Sequence, residues 1–302
     1  MNTRDRGMSG SPLIFGEVLF DRFDGEEVLG GAPFNVAWHL QGFGLKPLLI
    51  SRIGKDRLGQ QVSKRMQQWG MEMKGVQIDF SRPTGTVEVK IQDGEPHYEI
   101  LPHQAYDQID ATAARTALEG QKISLLYHGT LAMREPQSEH AYQTLQKCVR
   151  PIFVDVNLRT PWWKQDQVIG MLGKASWGKM NSDELFMLTR DKKRTDLKIV
   201  AEKFRQDMGL EGLIVTMGEQ GAGLFTREKT EFVEAVPVDR MVDTVGAGDG
   251  FSAVCIVGLS RGWEPSLMLK RAVLFASEIL QQRGATKVDR ALYQKIRMRW
   301  SE

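Results

Sequence analysis

Short apolar runs that alternate with longer amphipathic stretches are the feature that most limits how this sequence can fold. Four runs have the length and composition of buried strands, at 48–51, 123–127, 152–156 and 212–216. Stretches with apolar residues at helical spacing also occur, at 57–69, 111–119, 135–149 and 196–208. This alternation predicts an α/β fold, with a doubly wound, mostly parallel sheet flanked by helices, whose ligands bind beyond the carboxyl ends of the strands.

One region breaks the alternation, because two short strand patterns follow each other without a helix between them. Residues 84–91 and 96–101 flank Asp93-Gly94, a turn signal typical of hairpins. The pattern fits either a small lid over a binding site or an antiparallel edge of the main sheet. Residues 1–11 have no periodic apolar pattern and are predicted to be a disordered tail, and residues 12–302 to form one domain.

Charge and cysteine content argue against nucleic-acid-binding, membrane-binding and disulfide-rich proteins. The formal net charge is +2, and the 40 basic and 38 acidic residues are spread along the chain, so we expect no nucleic-acid or membrane partner. Only Cys148 and Cys255 are present, which predicts neither a disulfide framework nor a thiolate metal site. The first apolar run, 13–20, contains Gly16 and Glu17 and is too short for a signal sequence or a membrane span, so we expect a cytoplasmic protein.

The segment VDTVGAGDGFSAV, residues 242–254, carries the clearest chemical signal. Gly246 and Gly248 allow a tight turn whose backbone N–H groups, with the start of the following helix, can bind an anion. Asp249 lies where it could accept the proton of an attacking hydroxyl, and the helix start is expected to keep it charged and weakly basic. A helix start capped by Asp243 or Thr244 is the structural alternative.

The full DTVGAGD segment resembles the signature of the ribokinase family of carbohydrate kinases, also called the phosphofructokinase B family. The resemblance implies an ATP-dependent kinase in which Asp249 is the catalytic base. It also implies that the backbone of Gly246, Ala247 and Gly248 forms the anion hole. In this family the predicted hairpin occupies a lid position, and the lid strands are expected at about 17–29 and 84–101.

A second segment, GGAPFNVAWHL at 30–40, resembles the family segment that binds the sugar hydroxyls. Gly30 and Gly31 allow close approach of the backbone, and Asn35 can both donate and accept hydrogen bonds. Asp21, at the end of the first apolar run, matches the family position that accepts hydrogen bonds from the sugar. A plain turn followed by a helix is the alternative interpretation.

Two further matches concern phosphate and metal. DVNLRTPWW, 155–163, is similar to a segment of fructokinases, which implies that Asn157 and Arg159 contact the substrate or the transferring phosphate. NSDE resembles the family NxxE motif, which implies that Asn181 contacts the nucleotide phosphates and that Glu184 holds Mg²⁺, through water. A helix capping box formed by the same two residues is the alternative.

The nucleotide site is implied by resemblance alone. VTMGEQGAGLF, 215–225, resembles the family segment under the nucleotide and implicates Thr216, Gly218 and Gly221. Ala272 and Ala276 lie where the family forms its adenine pocket, although Val273 replaces an asparagine that is common there. Asp243 matches a K⁺ site found in some members.

The sequence says less about which sugar accepts the phosphoryl group and about the oligomeric state. The segments 30–40 and 155–163 look most like those of fructokinases, so fructose is the expected sugar. A kinase for 2-keto-3-deoxygluconate, ribose or a nucleoside stays open, because its phosphate machinery would be the same. A catalytically silent sugar-binding regulator is expected to lack Asp249, Glu184 or the GAG turn, and all three are present. A homodimer could cover the edge of a lid, but charge could protect that edge equally well.

Overall fold

The computed structural model describes residues 8–23, 25–92, 95–238 and 240–301; for residues 89–98 and 301 only the backbone is described. The strands are β1 (Ser11–Phe15), β2 (Leu19–Phe23), β3 (Glu26–Gly30), β4 (Leu48–Gly54), β5 (Val76–Asp79), β6 (Gly85–Gln92), β7 (Glu95–Ile100), β8 (Ile123–His128), β9 (Ile152–Asp155), β10 (Trp177–Asn181), β11 (Gly212–Thr216), β12 (Ala222–Thr226) and β13 (Thr230–Val233). The helices are α1 (Ala32–Gly42), α2 (Arg57–Trp69), α3 (Ala111–Ala117), α4 (Pro136–Gln146), α5 (Gln165–Leu172), α6 (Ser182–Thr189), α7 (Leu197–Asp207), α8 (Ala247–Arg261), α9 (Pro265–Leu280) and α10 (Arg290–Ser301).

The main sheet confirms the predicted fold class. Its strand order is β13-β12-β11-β10-β9-β8-β1-β4-β5, and the pairs from β5 through β11 are parallel. The strand order reverses at β1, which has β4 on one side and β8 on the other. In such sheets the crevice beside the reversal, at the carboxyl ends of the strands, is the usual place for a ligand.

The hairpin predicted around Asp93-Gly94 belongs to a second sheet, which we call the lid sheet. Its order is β3-β2-β6-β7, with β6 antiparallel to β7 and parallel to β2. The turn residues 93–94 lie outside the described residues. The hairpin therefore does not extend the edge of the main sheet, where β5 lies at one end and β13 at the other.

Both faces of the main sheet are covered by apolar side chains. Strand β9 shows the pattern, because Phe153 packs into the hydrophobic cluster on one face and Ile152 and Val154 pack into the cluster on the other. All three are almost completely buried. This arrangement explains why the strand sequences are continuous apolar runs rather than alternating ones.

The helices follow the predicted spacing closely, and local signals set their ends. Helix α2 begins after Asp56, whose side chain accepts a hydrogen bond from the amide of Gly59, and ends at Gly70 in a left-handed conformation. Within the described residues, no helix is both long and apolar enough to cross a membrane. Of the predicted tail, residues 1–7 lie outside the described residues, whereas Ser11 begins β1 and donates its amide to the Lys122 oxygen.

Candidate active site

The carboxyl ends of the central strands bring polar residues from distant parts of the sequence to one cavity of about 410 Å³. Glu17 follows β1, Asp155 ends β9, and Asn181 and Thr216 end β10 and β11. The lid sheet supplies part of the cavity wall through Leu19, Asp21, Val87 and Ile100. The start of α8 completes it with Gly246, Gly248 and Asp249. We call this space the polar cavity.

Helix α8 begins at the glycine-rich turn, in a geometry suited to an anion. Its N-cap, Gly246, has a φ of 83°, and a Cβ atom at this position would lie 2.2 Å from the Cβ of Ala285, so only glycine fits. No side chain caps the helix, which leaves the first amide groups available to a ligand. Asp243 instead accepts hydrogen bonds from the amides of Val245 and Gly284, so it does not act as the helix cap.

The segment that resembles a sugar-binding motif meets this turn directly. Gly31 is the N-cap of α1 with a φ of 104°, and Asn35 lies buried in the first turns of the helix. The Nδ2 atom of Asn35 donates a hydrogen bond to Oδ2 of Asp249 at 2.8 Å. Its Oδ1 atom is buried and has no hydrogen-bond partner among the described residues. The side chain is thus fixed against Asp249 and keeps one free acceptor.

Four carboxyl groups along the cavity, those of Glu17, Asp21, Glu184 and Asp249, have a raised pKa because they are buried. Burial raises the pKa of Glu17 to about 7, and it raises the pKa of Asp21 and of Asp249 to about 6. Glu17 is only 3% exposed, and its Oε2 atom has no hydrogen-bond partner among the described residues. The cavity wall therefore includes acidic groups that titrate near neutral pH.

The pKa of Asp249 corrects one expectation from the sequence. The helix start was expected to hold this carboxyl group in a charged, weakly basic form. Burial of the group dominates instead, and the hydrogen bond from Asn35 only partly offsets it. Asp249 is consequently a stronger base than a solvent-exposed aspartate, which suits proton transfer from a hydroxyl.

Asn181 and Glu184 form the capping box that was considered as the alternative. The Oδ1 atom of Asn181 accepts the amide of Glu184, and Oε2 of Glu184 accepts the amide of Asn181, each at 2.8 Å. The Oε1 atom of Glu184 accepts the Leu158 amide at 2.7 Å. Both residues also line the polar cavity, so capping α6 and facing the ligand are compatible.

Asn157 and Arg159 lie on the loop after β9, and both line the polar cavity. Asn157 has a φ of 40°, an uncommon conformation for a residue other than glycine. Arg159 is exposed, and within the described part of the chain its side chain forms no hydrogen bond or ion pair. Its charge lowers the pKa of Glu17, Asp21 and Asp249, although in each case burial has the larger effect. The guanidinium group is thus free to bind an anionic group.

A second cavity, of about 540 Å³, adjoins the first, and we call it the apolar cavity. Thr216, Thr244 and Gly248 line both cavities, so the two meet at the glycine-rich turn. The predicted nucleotide residues that line the apolar cavity are Thr216, Gly218, Gly221, Gly248 and Ala276, and Ala247 of the predicted anion hole lines it too. Its other walls are largely aliphatic and aromatic, with contributions from Val236, Phe251, Val273 and Leu280.

Three of the proposed site residues do not line either cavity. Ala272 is completely buried in the hydrophobic core, and its neighbour Val273 faces the apolar cavity instead. A Cβ atom on Gly30 would lie 3.4 Å from Oδ2 of Asp21, and the Asp243 carboxylate is held by backbone amides. One turn of helix α9 thus turns Val273 and Ala276, but not Ala272, toward the apolar cavity.

Sequence reasoning missed three charged residues of the polar cavity: Glu17, Asp155 and Lys179. Each carried a usable signal. Glu17 and Asp155 are acidic residues within the predicted apolar runs 13–20 and 152–156, and in the structure they lie at the edge of the sheet where ligands bind. Lys179 interrupts an apolar strand. Because an unpaired buried charge would be costly, a lysine there indicates a charged partner or a ligand nearby.

Several known proteins with similar sequences are named as carbohydrate kinases. The model of the pfkB family carbohydrate kinases matches residues 8–291. Probable fructokinase-5 of Arabidopsis thaliana is 27% identical over 299 residues, which cover 89% of this chain and 90% of the relative. The 2-dehydro-3-deoxygluconokinase of Bacillus subtilis is 26% identical over 251 residues, which cover 78% of this chain and 75% of that relative.

The fold is shared with solved kinases as well. The crystal structure of fructokinase with bound ATP from Xylella fastidiosa superposes with a TM-score of 0.83 at 19% identity, and the match covers 97% of this chain and 99% of that one. The family match spans nearly all of the folded chain, and the resemblance predicted from the motifs is confirmed. This protein belongs to the pfkB family of carbohydrate kinases.

Proposed function

We propose that this protein is an ATP-dependent kinase that transfers the terminal phosphoryl group of ATP to a small sugar, with fructose as the preferred acceptor. The observation that carries the proposal is the 2.8 Å hydrogen bond between Asn35 and Asp249. It joins the segment expected to bind sugar to the expected base, at the start of α8 where the polar and apolar cavities meet. A hydroxyl group held by Asn35 would lie beside the group that must accept its proton.

The polar cavity has the chemistry that a sugar requires. Sugar hydroxyls both donate and accept hydrogen bonds, and the cavity offers carboxyl oxygens from Glu17 and Asp21 and amide groups from Asn35 and Asn157. Oxygen atoms of Glu17 and Asn35 are buried without partners among the described residues. Buried polar atoms of this kind are normally paired, so a bound sugar would satisfy them.

The apolar cavity suits the base of a nucleotide. Its aliphatic and aromatic walls can cover a planar heterocycle, and Thr216 and Gly248 lie at its junction with the polar cavity. A triphosphate extending across this junction would reach the uncapped start of α8. Its terminal phosphoryl group would then face the acceptor in the polar cavity.

In the proposed reaction the sugar hydroxyl attacks the terminal phosphorus atom in line with the leaving group. A new oxygen–phosphorus bond forms, the bond between the terminal phosphorus and the bridging oxygen to ADP breaks, and the hydroxyl proton passes to Asp249. The first amide groups of α8 would stabilise the charge on the phosphoryl oxygens. Arg159, which is free and exposed at the cavity, would add a positive charge.

Magnesium fits this site as a companion of the triphosphate. The described residues contain no cluster of three or more His, Cys, Asp or Glu side chains that could hold a metal by themselves. Mg²⁺ commonly binds through phosphate oxygens and water with one or two carboxylates nearby, and Glu184 faces the cavity in that role. The ion would neutralise phosphate charge. The Asp243 carboxylate, already bonded to two amides, would serve as the proposed K⁺ ligand.

A sugar acid such as 2-keto-3-deoxygluconate is the second candidate acceptor. Two observations favour it: the similarity to a 2-dehydro-3-deoxygluconokinase and the unpaired guanidinium group of Arg159, which could bind a carboxylate. Against it, the ionised forms of Glu17 and Asp21 would repel an anionic group bound next to them. We therefore rank the neutral ketose first.

The test is a coupled assay of ADP release with fructose, 2-keto-3-deoxygluconate, ribose and a nucleoside, each over a range of concentrations. We expect fructose to give the highest kcat/KM, with phosphorylated fructose found by mass spectrometry. The Asp249→Asn protein, measured in parallel, corrects for contaminating kinases. A clear preference for the sugar acid or the nucleoside would refute fructose as the acceptor, and no ADP release with any sugar would refute the kinase proposal.

A further inference from the structure

Lys179 lies at the junction of the sheet and the glycine-rich turn, and none of the matched family motifs explains it. It is paired across the sheet with Asp155, the last residue of β9, in parallel register. Its Nζ atom lies 2.9 Å from both carboxylate oxygens of Asp155, and the Lys179 side chain is only 8% exposed. The two residues thus form an almost buried ion pair that faces the polar cavity.

Asp155 is held firmly from its other side. The hydroxyl groups of Ser252 and Tyr127 lie 2.6 Å and 3.2 Å from its Oδ2 atom. The Ser252 hydroxyl is also 3.0 Å from the backbone oxygen of Gly248, so the carboxylate is linked to the first turn of α8. This arrangement fixes the position of the carboxylate and, through it, the ammonium group.

The ammonium group also lies next to the proposed anion hole. The Nζ atom is 3.6 Å from the point that a Cβ atom on Gly248 would occupy, and Lys179 lines the cavity together with Gly246 and Asp249. An ammonium group has three N–H donors. Among the described residues only Asp155 accepts hydrogen bonds from it, so one donor remains for a ligand.

A purely structural role explains this arrangement less well. Burying an ion pair costs so much desolvation that apolar residues of similar size are often at least as stable. Burial disfavours the charged form of Lys179, but the attraction of Asp155 outweighs that effect and raises its pKa. The chain therefore keeps a permanent positive charge at the place where the terminal phosphate of a nucleotide would arrive.

We propose that Lys179 is a catalytic residue whose ammonium group binds the terminal phosphoryl group during transfer, and that Asp155 is the positioning residue that aims it. This inference rests on the proposed ATP-dependent function. Lys179 stays protonated throughout. It donates a hydrogen bond to a non-bridging oxygen, while the proton of the acceptor goes to Asp249 and the leaving group is ADP. Such a contact stabilises the charge that spreads over the phosphoryl oxygens in the transition state.

The first experiment replaces Lys179 with methionine, which keeps the length of the side chain and removes the charge. We expect kcat to fall by roughly 10²- to 10³-fold, the range seen when one preorganised donor is removed. In calorimetry, the affinity for ADP should change by less than about threefold, whereas that for adenylyl imidodiphosphate should weaken by at least about tenfold, because only the latter has a terminal phosphate. Equal weakening for both nucleotides, or unchanged turnover, would overturn the proposal.

Two controls separate this outcome from other failures. The Lys174→Met variant removes an exposed lysine and should leave both affinities and kcat unchanged. If wild-type protein binds neither nucleotide, the proposed ATP-dependent function fails, and the role of Lys179 as a phosphoryl ligand fails with it. If both nucleotides bind the wild type and Lys179→Met does not discriminate between them, only the inference on Lys179 fails.

A double variant tests whether the ion pair is only structural. Lys179→Met alone leaves the Asp155 charge buried and unpaired, which is destabilising. Adding Asp155→Asn removes that charge and keeps an oxygen for Ser252 and Tyr127. We expect the double variant to regain most of the thermal stability but not the turnover. Recovery of turnover to within about fivefold of wild type would show a structural pair and overturn the proposal.

If the double variant does not fold, the wild-type protein still gives an answer. Buried lysine ammonium groups exchange slowly enough to be followed by ¹H–¹⁵N correlation spectra. The Lys179 signal should shift when adenylyl imidodiphosphate and sugar are added together, and shift little with ADP and sugar. An identical response to both nucleotides would contradict contact with the terminal phosphoryl group.

Discussion

Asn35 donates a hydrogen bond from Nδ2 to Oδ2 of Asp249 over 2.8 Å, although the two residues are 214 positions apart in the sequence. Asn35 belongs to the first turns of α1, and Asp249 to the first turn of α8. The bond favours the charged form of Asp249, against the larger effect of burial. The segment expected to bind sugar therefore also tunes the group expected to accept the proton.

Replacing Asp249 with asparagine should abolish most turnover and leave binding intact. Asparagine retains the size of the side chain but cannot take a proton, and positioned proton transfer is worth about 10²- to 10⁴-fold in rate. We expect kcat to fall in that range while calorimetric affinities for sugar and ATP stay within a few-fold of wild type. Near-normal turnover would remove Asp249 as the base, and joint loss of binding and folding would assign it a structural role.

Replacing Asn35 with alanine should shift the pH dependence of the reaction. Wild-type kcat/KM should fall as the pH drops through about 6, because Asp249 must be deprotonated to act as a base. Without the Asn35 hydrogen bond its pKa rises further, so the acid limb should move to higher pH. Asp21→Asn is the comparison for the ionisation of Asp21, whose pKa is also about 6: it should weaken sugar binding but keep an acid limb near pH 6, because Asp249 still titrates there. An unmoved acid limb in Asn35→Ala would limit Asn35 to sugar contact.

Replacing Glu17 with glutamine should stabilise the protein more as the pH rises. Burial raises the pKa of Glu17 from 4.5 to about 7, so the unfolded chain ionises first and stability is lost as the pH climbs through that interval. The free energy of unfolding could fall by about 3 kcal/mol at pH 8, because each pKa unit corresponds to about 1.4 kcal/mol.

Urea unfolding at pH 5 and pH 8 tests this prediction for Glu17. The gain in free energy of unfolding of Glu17→Gln over wild type should be small at pH 5 and larger at pH 8. The exposed Glu119→Gln variant is the matched control and should show no such trend. An equal effect of Glu17→Gln at both pH values would show that ionisation of this group does not govern the stability.

Replacing Glu184 with glutamine should affect both the fold and the magnesium requirement. One of its two oxygen atoms becomes an NH₂ group, so the amide of Asn181 or Leu158 loses its acceptor, at a cost of about 1–3 kcal/mol. The loss of charge should raise the Mg²⁺ concentration needed for half-maximal rate. Thermal unfolding and a magnesium titration measure the two effects separately. A lower Tm with an unchanged magnesium requirement would leave only the capping role.

The lid sheet should close over bound sugar and nucleotide and exclude water, which suppresses wasteful hydrolysis of ATP. Its residues Val87 and Ile100 already line the polar cavity. Sugar with adenylyl imidodiphosphate should slow the amide hydrogen exchange of residues 85–92 and 95–100, while helix α7, whose residues line neither cavity, serves as an internal control. Equal protection with and without ligands would argue against closure.

Much of the fold could be predicted because the signals are local. The four apolar runs became β4, β8, β9 and β11, since a strand buried on both faces needs continuous apolar sequence. The glycines of the 242–254 segment likewise indicated the turn before α8, because a residue at φ 83° with no room for a Cβ atom must be glycine. The motifs also follow one another along the chain in the same order as in the family, and this order indicated the family.

What the sequence by itself determined was the α/β fold, the family and most residues around the cavities. The tertiary structure decided their chemical state: the raised pKa of Asp249, the capping role of Glu184, the burial of Ala272 behind Val273 and the pairing of Lys179 with Asp155. Backbone conformation and periodicity depend on neighbours in the chain. Desolvation and ion pairing depend on which residues the fold brings within a few ångströms, and those lie far apart in the sequence.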